Sequence, residues 1–132
     1  HVMEHLEHLN ETWEMLRELL TEKGMLIVAV PNCSSYDAGR YGEYWAAYDV
    51  PRHLWHFTPV TIQQLASRHG FIMAARHPMP FDAFYVSMLS EKHRGSSCSF
   101  LKGMYAGTLA WFSTLGRKER SSSMIYVFRK KR

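Results

Sequence analysis

A short apolar run at residues 25–30 constrains the fold more than any other feature. It reads Met-Leu-Ile-Val-Ala-Val and is ended by Pro31 and Asn32. A continuous apolar run with β-branched residues is typical of a strand covered on both faces, as in a parallel sheet. Before it, leucines at helical spacing predict a helix from Val2 to about Glu22, which Gly24 ends. Helix, glycine turn and buried strand together predict an α/β chain in which they form the second half of a βαβ unit.

The rest of the chain alternates between further elements and one long loop. Residues 33–57 show no periodicity, are rich in aromatic residues, and are expected to form a loop after the strand. Thr58 and Pro59 are typical of a helix start, and Gly70 of its end. The patterns then predict strands at 71–75 and 123–128, antiparallel to each other, and a helix at 98–115. Residues 78–97 are expected to be an irregular connection that contains a helix at about 83–92.

Composition excludes several classes of protein. The 132 residues suit one domain, and 46% hydrophobic with 21% charged residues indicates a globular chain. The net charge of +4 is concentrated in 117–120 and 129–132, which we interpret as solvated tails. Because basic residues are not spread over one face, we expect no nucleic-acid partner. Cys33 and Cys98 lack CxxC spacing, which favours free thiols and a cytoplasmic, reducing location.

The chain begins in the middle of a helical pattern, and its most apolar helix is interrupted. Because the helical spacing already starts at His1, we expect the chain to be a part cut from a longer domain. Residues 98–116 are the nearest approach to a membrane span, but Lys102, Gly103 and Gly107 break the run. A buried or capping helix is therefore favoured over a membrane-surface helix, and we expect no membrane partner.

Five segments then occur in the order and spacing of one family. They are H-V-M-E-H-L at 1–6, L-R-E-L-L with K-G at 16–24, the strand ending in P-N at 25–32, P-R-H-L-W-H-F-T at 51–58 and G-F at 70–71. They resemble the H-V-L-E-H-L, L-R-x-L-L-K-P-G-G, fifth-strand, P-x-H-L-x-x-F-T and G-F motifs of class I S-adenosylmethionine-dependent methyltransferases. The resemblance covers 1–77 well and 78–132 only loosely.

The resemblance implies a partial Rossmann-like methyltransferase sheet. Residues 1–132 would be the C-terminal part of one domain, with a core at 1–77, a variable insertion at 78–122 and the last strand at 123–129. The chain would carry strands five, six and seven, with strand seven antiparallel between the other two. The N-terminal cofactor-binding half, with its Gly-rich loop, would be missing. The uncovered edge of strand five would then favour a homo-oligomer or a domain swap.

The resemblance also implies a reaction. It is methyl transfer from S-adenosyl-L-methionine to a hydroxyl or amine of a small-molecule or saccharide acceptor, with the isolated fragment inactive. The alternative is a non-enzymatic interaction module built on part of the same fold.

Candidate site residues follow the motifs. His53 and His56 are catalytic candidates because a neutral imidazole can take a proton near working pH; alternatively they hold the loop in place. His1 would border the cofactor. Asn32 is either a substrate contact or a turn residue. The aromatic residues either line an acceptor pocket or cover the sheet; they are Tyr36, Tyr41, Trp45 and Trp55.

A metal site is the remaining alternative. His1, Glu4, His5 and His8 have the spacing of one helix face, which we interpret first as a polar face without metal. RNA 2′-O-methyltransferases that modify small-RNA 3′ ends have a similar layout and bind a divalent ion there. The resemblance would assign such an ion to His1, Glu4, His5 and His53.

Overall fold

Three strands form one antiparallel sheet. The computed structural model describes residues 1–131, and its strands are β1 (Leu26–Pro31), β2 (Phe71–Met79) and β3 (Ser123–Lys130). The order is β1-β3-β2, and β3 pairs antiparallel with both neighbours. The predicted antiparallel pairing of the last strand with β2 is therefore confirmed. The chain has an α/β fold with a small sheet that is antiparallel at both pairings.

Five α-helices surround this sheet, and short 3-10 turns connect them. Within residues 1–131 no helix has both the length and the apolarity needed to cross a membrane. The helices are α1 (Leu9–Leu19), α2 (Tyr36–Tyr41), α3 (Pro59–Arg68), α4 (Asp82–His93) and α5 (Ser99–Gly116). The 3-10 turns are Met3–His5, Gly42–Tyr44, Ala46–Tyr48 and Lys118–Arg120.

The first predicted helix is interrupted, which corrects the expectation of one helix over 2–22. A 3-10 turn at Met3–His5 is followed by extended backbone at Leu6, and α1 starts only at Leu9. In a continuous helix the carbonyl of Glu4 would accept from the amide of residue 8. Here that carbonyl accepts from the Leu54 and Trp55 amides, at 2.7 and 3.2 Å. The loop at 49–57 thus takes the hydrogen bonds that would continue the helix.

Strand β1 differs from its prediction in its burial. Val28 and Val30 are buried, whereas Ile27, which precedes Val28, is 65% exposed and Ala29 between the two valines is only partly buried. The alternation arises because successive side chains of a strand point to opposite faces, and only one face carries the core. The described residues therefore cover β1 on one face, and the expectation of a strand covered on both faces was wrong for this part of the chain.

Three further expectations are corrected. The loop predicted at 33–57 contains α2 and two 3-10 turns. Strand β2 continues past the predicted end at 75 and includes Pro78, which an edge strand tolerates. The basic segments at 117–120 and 129–132 are not tails: the first is a 3-10 turn whose Glu119 pairs with Arg76, and Arg129 belongs to β3. Arg132 lies outside the described residues.

Helix α3 begins and ends as predicted. Thr58 accepts from the Thr61 amide in a reciprocal capping box, and Pro59 occupies the first turn. Gly70 has a positive φ of 76°, which favours glycine. Between them Ile62 and Ala66 are buried, so this face holds the helix on the sheet.

Two hydrophobic cores divide the molecule. The first lies between α1, α3 and the sheet, where Trp13 makes edge contacts with Phe71 and Phe128 at 5.4 and 5.5 Å between ring centres. The second joins α2 to α5 around Tyr41 and Trp45.

Candidate functional site

A cavity of about 570 Å³ opens at the end of β1. The first residues of the chain, the loop at 46–53 and one side of α4 form its walls. Polar residues come from all three walls, and apolar residues come from the loop, α4 and the end of β1. The lining residues are His1, Glu4, His5, Pro31, Ala46, Ala47, Asp49, Arg52, His53, Asp82, Tyr85, Val86, Leu89, His93 and Ser123.

An acid–histidine–acid group forms one side of this cavity. His1 Nδ1 lies 3.1 Å from Glu4 Oε1, and its Nε2 lies 3.6 Å from Asp82 Oδ2. The hydrogen bond with Asp82, followed by that with Glu4, raises the pKa of His1 to about 9. The same contact with His1 lowers the pKa of Asp82. His1 is therefore a cation at neutral pH, and the loss of its lone pairs makes it a poor metal ligand or base.

Glu4 is the most deeply buried acid of the cavity. Its side chain is 1% exposed. Burial is the largest single effect and would raise the pKa of Glu4, but the hydrogen bond from His1, a backbone hydrogen bond and the nearby histidines together outweigh it and lower the pKa. One carboxylate oxygen faces His1, while Oε2 has no hydrogen-bond partner. A buried, ionised and half-unpartnered carboxylate is costly, so this oxygen is suited to a positive ligand.

Two imidazoles lie beside the Glu4 carboxylate, and each is held through its Nδ1 atom. His5 Nδ1 lies 2.9 Å from the Arg52 carbonyl, and His53 Nδ1 lies 2.8 Å from the Ala47 carbonyl. Because a carbonyl only accepts, each Nδ1 carries the proton and donates. In a neutral ring the lone pair is then on Nε2. One ligand atom each from Glu4, His5 and His53 lie within 4.8 Å of one another.

The loop that carries His53 is fixed to the start of the chain. Trp55 Nε1 donates to the Leu6 carbonyl at 2.6 Å, in addition to the backbone bonds to Glu4. Inside the loop, Arg52 donates to Asp49 at 2.6 Å. Asp49 Oδ2 lies 3.8 Å from His53 Nε2. His53 is thus held in place through its Nδ1 and the loop contacts, while its Nε2 faces Asp49.

His56 lies outside this cavity. Its Nε2 donates to the Tyr48 carbonyl at 3.0 Å, and its ring packs edge-on against Tyr48. It lines a separate cleft together with Trp55 and α3. The structure does not bring His56 and His53 to one place, and the geometry gives His56 a role in holding the loop.

Asn32 uses its whole side chain within the protein. Its Nδ2 donates to the carbonyls of Glu119 and Ser121 at 2.7 and 2.9 Å. Its Oδ1 accepts from the amide and the hydroxyl of Ser34. The residue is 1% exposed, so it joins the end of β1 to the segment before β3 and has no group left for an acceptor.

The four aromatic candidates do not line the cavity. Tyr41 and Trp45 are buried in the second core, where they donate to Glu91 and Asp37. Tyr36 packs under the Arg120 guanidinium, and Trp55 fixes the loop. They cover the fold and stabilise it, which was the other role considered for them.

The helix face predicted for His1, Glu4, His5 and His8 does not form. His8 caps α1 beyond the break in the helix, and its side chain is 79% exposed. The other three come together through the 3-10 turn. Of the four residues of the metal alternative, the structure groups Glu4, His5 and His53 and leaves His1 in its ion pairs.

Sequence reasoning missed Asp82, Asp49 and Tyr85. Asp49 has a weak signal, because it precedes His53 by four residues and adopts the left-handed backbone of a turn. Asp82 and Tyr85 belong to α4, whose position over the cavity depends on tertiary packing that no local pattern encodes.

Comparison with known proteins identifies the family of this chain. Residues 1–75 match the sequence model of a family described as a methyltransferase domain. This match covers more than half of the 132 residues. The chain belongs to this methyltransferase domain family, whose members carry out methyl transfer. It matches no curated protein.

Proposed function

We propose that the cavity transfers a methyl group from S-adenosyl-L-methionine to a hydroxyl or amine of a small molecule or saccharide, with His53 as general base. The observation that carries this proposal is the fixed imidazole: His53 donates from Nδ1 to Ala47, and its Nε2 is next to Asp49. An imidazole of this kind can take the acceptor's proton as the new bond forms. Asp49 then stabilises the imidazolium.

The lining is chemically suited to the cofactor. Glu4, Asp49 and Asp82 supply carboxylates, and the unpartnered Oε2 of Glu4 suits a positive charge. When bound, the cofactor supplies a sulfonium-activated methyl group and carries that positive charge. His1, between Glu4 and Asp82, is our candidate for the cofactor side. The remaining contribution of the protein is positioning, since methyl transfer is an in-line displacement.

Calorimetric titration of S-adenosylhomocysteine tests the cofactor assignment. It is applied to this chain and to a version extended by the upstream coding sequence. Binding to the extended protein alone supports methyl transfer by a domain of which these residues are a part. Absence of binding to both contradicts the proposal and favours an interaction module.

Substitution of His53 tests the base. In protein that binds the cofactor product, we expect His53→Gln to lower kcat about 100-fold or more with little change in KM. The matched control is His56→Gln, which should keep kcat within a few-fold because His56 lies in the other cleft. Equal losses in both variants would contradict the assignment.

A second candidate is favoured by the grouping of Glu4, His5 and His53: a divalent cation held by one carboxylate oxygen and two imidazole nitrogens. Both rings are oriented by backbone carbonyls, as metal-binding histidines usually are. Such an ion would polarise an acceptor hydroxyl and lower its pKa. His53 would then be a ligand, so the two candidates exclude each other.

His5 separates the two candidates. Under the general-base proposal, His5→Ala leaves most of the activity, whereas under the metal candidate it removes both ion binding and activity. Titration of Zn²⁺ and Mn²⁺ into the protein and its His5→Ala variant measures the ion directly. The control is His8→Ala, an exposed histidine of the same segment. Equal ion affinity in all three proteins would exclude the metal candidate.

A further inference from the structure

Helix α5 is apolar on two sides. Its inner side packs against α4, where small residues allow close approach of the two helices. A Cβ at Gly103 or Gly107 would lie 2.5 or 2.7 Å from the backbone of α4. The buried residues of this side are Gly103, Ala106, Gly107, Ala110 and Thr114. Normally the opposite side of such a helix would be polar.

The opposite side is instead apolar and exposed. Phe100, Leu101, Tyr105, Phe112 and Leu115 are each between 54% and 68% exposed. Their spacings of one, four, seven and three residues place them on one side of the helix, which we name the α5 outer face. From 103 to 116 the helix contains no charged residue at all. A continuous exposed apolar surface of this kind marks an interaction site.

Basic residues flank the α5 outer face at both ends. Every charged residue from Lys92 to Lys118 is basic. Lys92 and Lys102 are near the turn between α4 and α5, while Arg117 and Lys118 follow the far end of α5. All four are exposed, and none forms an ion pair within residues 1–131.

We propose that the α5 outer face binds the surface of an anionic lipid bilayer. Apolar residues on one side with basic residues at the margins are the features of helices that lie in a membrane interface. The basic ends would contact anionic headgroups, each with a modest attraction. A second copy of the chain is a poorer occupant. Because both ends are basic, two such faces would bring like charges together in either a parallel or an antiparallel arrangement.

The helical hairpin formed by α4 and α5 connects this surface with the cavity. Helix α4 packs on the inner side of α5 and contributes Asp82, Tyr85 and Leu89 to the cavity lining. A bilayer bound to α5 would thus be one helix away from the site. This consequence, that the acceptor is presented at a membrane surface, rests on the proposed function, whereas vesicle binding by α5 does not.

Vesicle flotation tests the surface. We expect the protein to float with vesicles of phosphatidylcholine and phosphatidylglycerol, and to remain unbound with phosphatidylcholine alone. Leu101→Ser combined with Phe112→Ser should weaken binding about tenfold or more, since both apolar side chains leave the interface. The matched control combines Leu19→Ser with Val60→Ser, two exposed apolar positions outside the hairpin. Circular dichroism verifies that each variant is folded.

Three results would overturn the proposal. They are absence of binding to the anionic vesicles, equal binding by the Leu101/Phe112 variant, and dimerisation through this face without vesicle binding. A separate variant tests the basic residues. Lys102→Glu combined with Lys118→Glu should reduce binding to anionic vesicles at low salt, and unchanged binding would contradict a role for these basic residues. The proposal departs from the expectation of no membrane partner. That expectation was based on the apolar run at 98–116, and the sequence alone does not show which side of this helix is exposed.

Discussion

At the scale of single residues, burial separates the two cysteines. Both are free thiols; Cys98 is exposed, and Cys33 is partly buried. Burial raises the pKa of the Cys33 thiol, so at any pH below that pKa a smaller fraction is thiolate than in an unfolded chain. We expect iodoacetamide at pH 8 to modify Cys98 about tenfold or more faster than Cys33, as measured by peptide mass spectrometry. In denaturant the difference should disappear; if it persists there, burial is not its cause.

Asn32 provides a second prediction at this scale, for stability. Asn32→Ala removes four hydrogen bonds and leaves two carbonyls before β3 without their donor. We expect a loss of about 2–4 kcal/mol in the free energy of unfolding, measured by urea denaturation. Asn10→Ala is the control, because Asn10 is exposed and makes one contact, with His69. If both substitutions cost the same, Asn32 does not hold the strand ends together.

The residues of the site were predictable to different degrees. His53, Glu4 and His5 were identifiable because the motifs carry them, and the structure places them together. Asp82 was not, because its distance from His1 depends on how α4 packs. Asn32 shows the converse: its position at the end of a buried strand is typical of a ligand contact, but the backbone carbonyls around it decide its role.

At the scale of elements, close approach holds α4 and α5 together. Gly103→Ala would place a methyl group 2.5 Å from Met88 Cα, which is backbone and cannot rotate away. We expect a loss of about 1–3 kcal/mol in thermal or urea unfolding. Gly39→Ala in α2 is the control, since nothing lies within 4 Å of its added Cβ and alanine favours a helix. Stabilisation by both substitutions would show that the two helices are not in close contact.

Local patterns predicted the elements that depend on local chemistry. Helix α3 has its cap and its glycine end in the sequence, and α4 and α5 have helical composition. The break before α1 could not be predicted, because Leu54 and Trp55, far along the chain, supply the amides that compete for the Glu4 carbonyl. The same holds for the 3-10 turns at 42–48, which depend on packing of Trp45 in the second core.

At the scale of the whole molecule, the sheet has two edges with different protection. Strand β2 carries Arg76, His77 and Pro78, which discourage pairing with another chain. Strand β1 carries no charged residue. Among the described residues it pairs only with β3 and, through Asn32, makes one bridge beyond its end. The predicted association should therefore proceed through β1.

Light scattering after size exclusion measures this association. We expect this chain to form dimers or larger species as its concentration rises, and Ile27→Lys to shift the population to monomer, because a lysine on an exposed edge blocks strand pairing. Ile72→Lys on β2 is the matched control, since Ile72 is also exposed but belongs to the protected edge. A stable monomer at all concentrations would contradict the prediction. Equal effects of the two lysines would instead assign the association to general surface hydrophobicity.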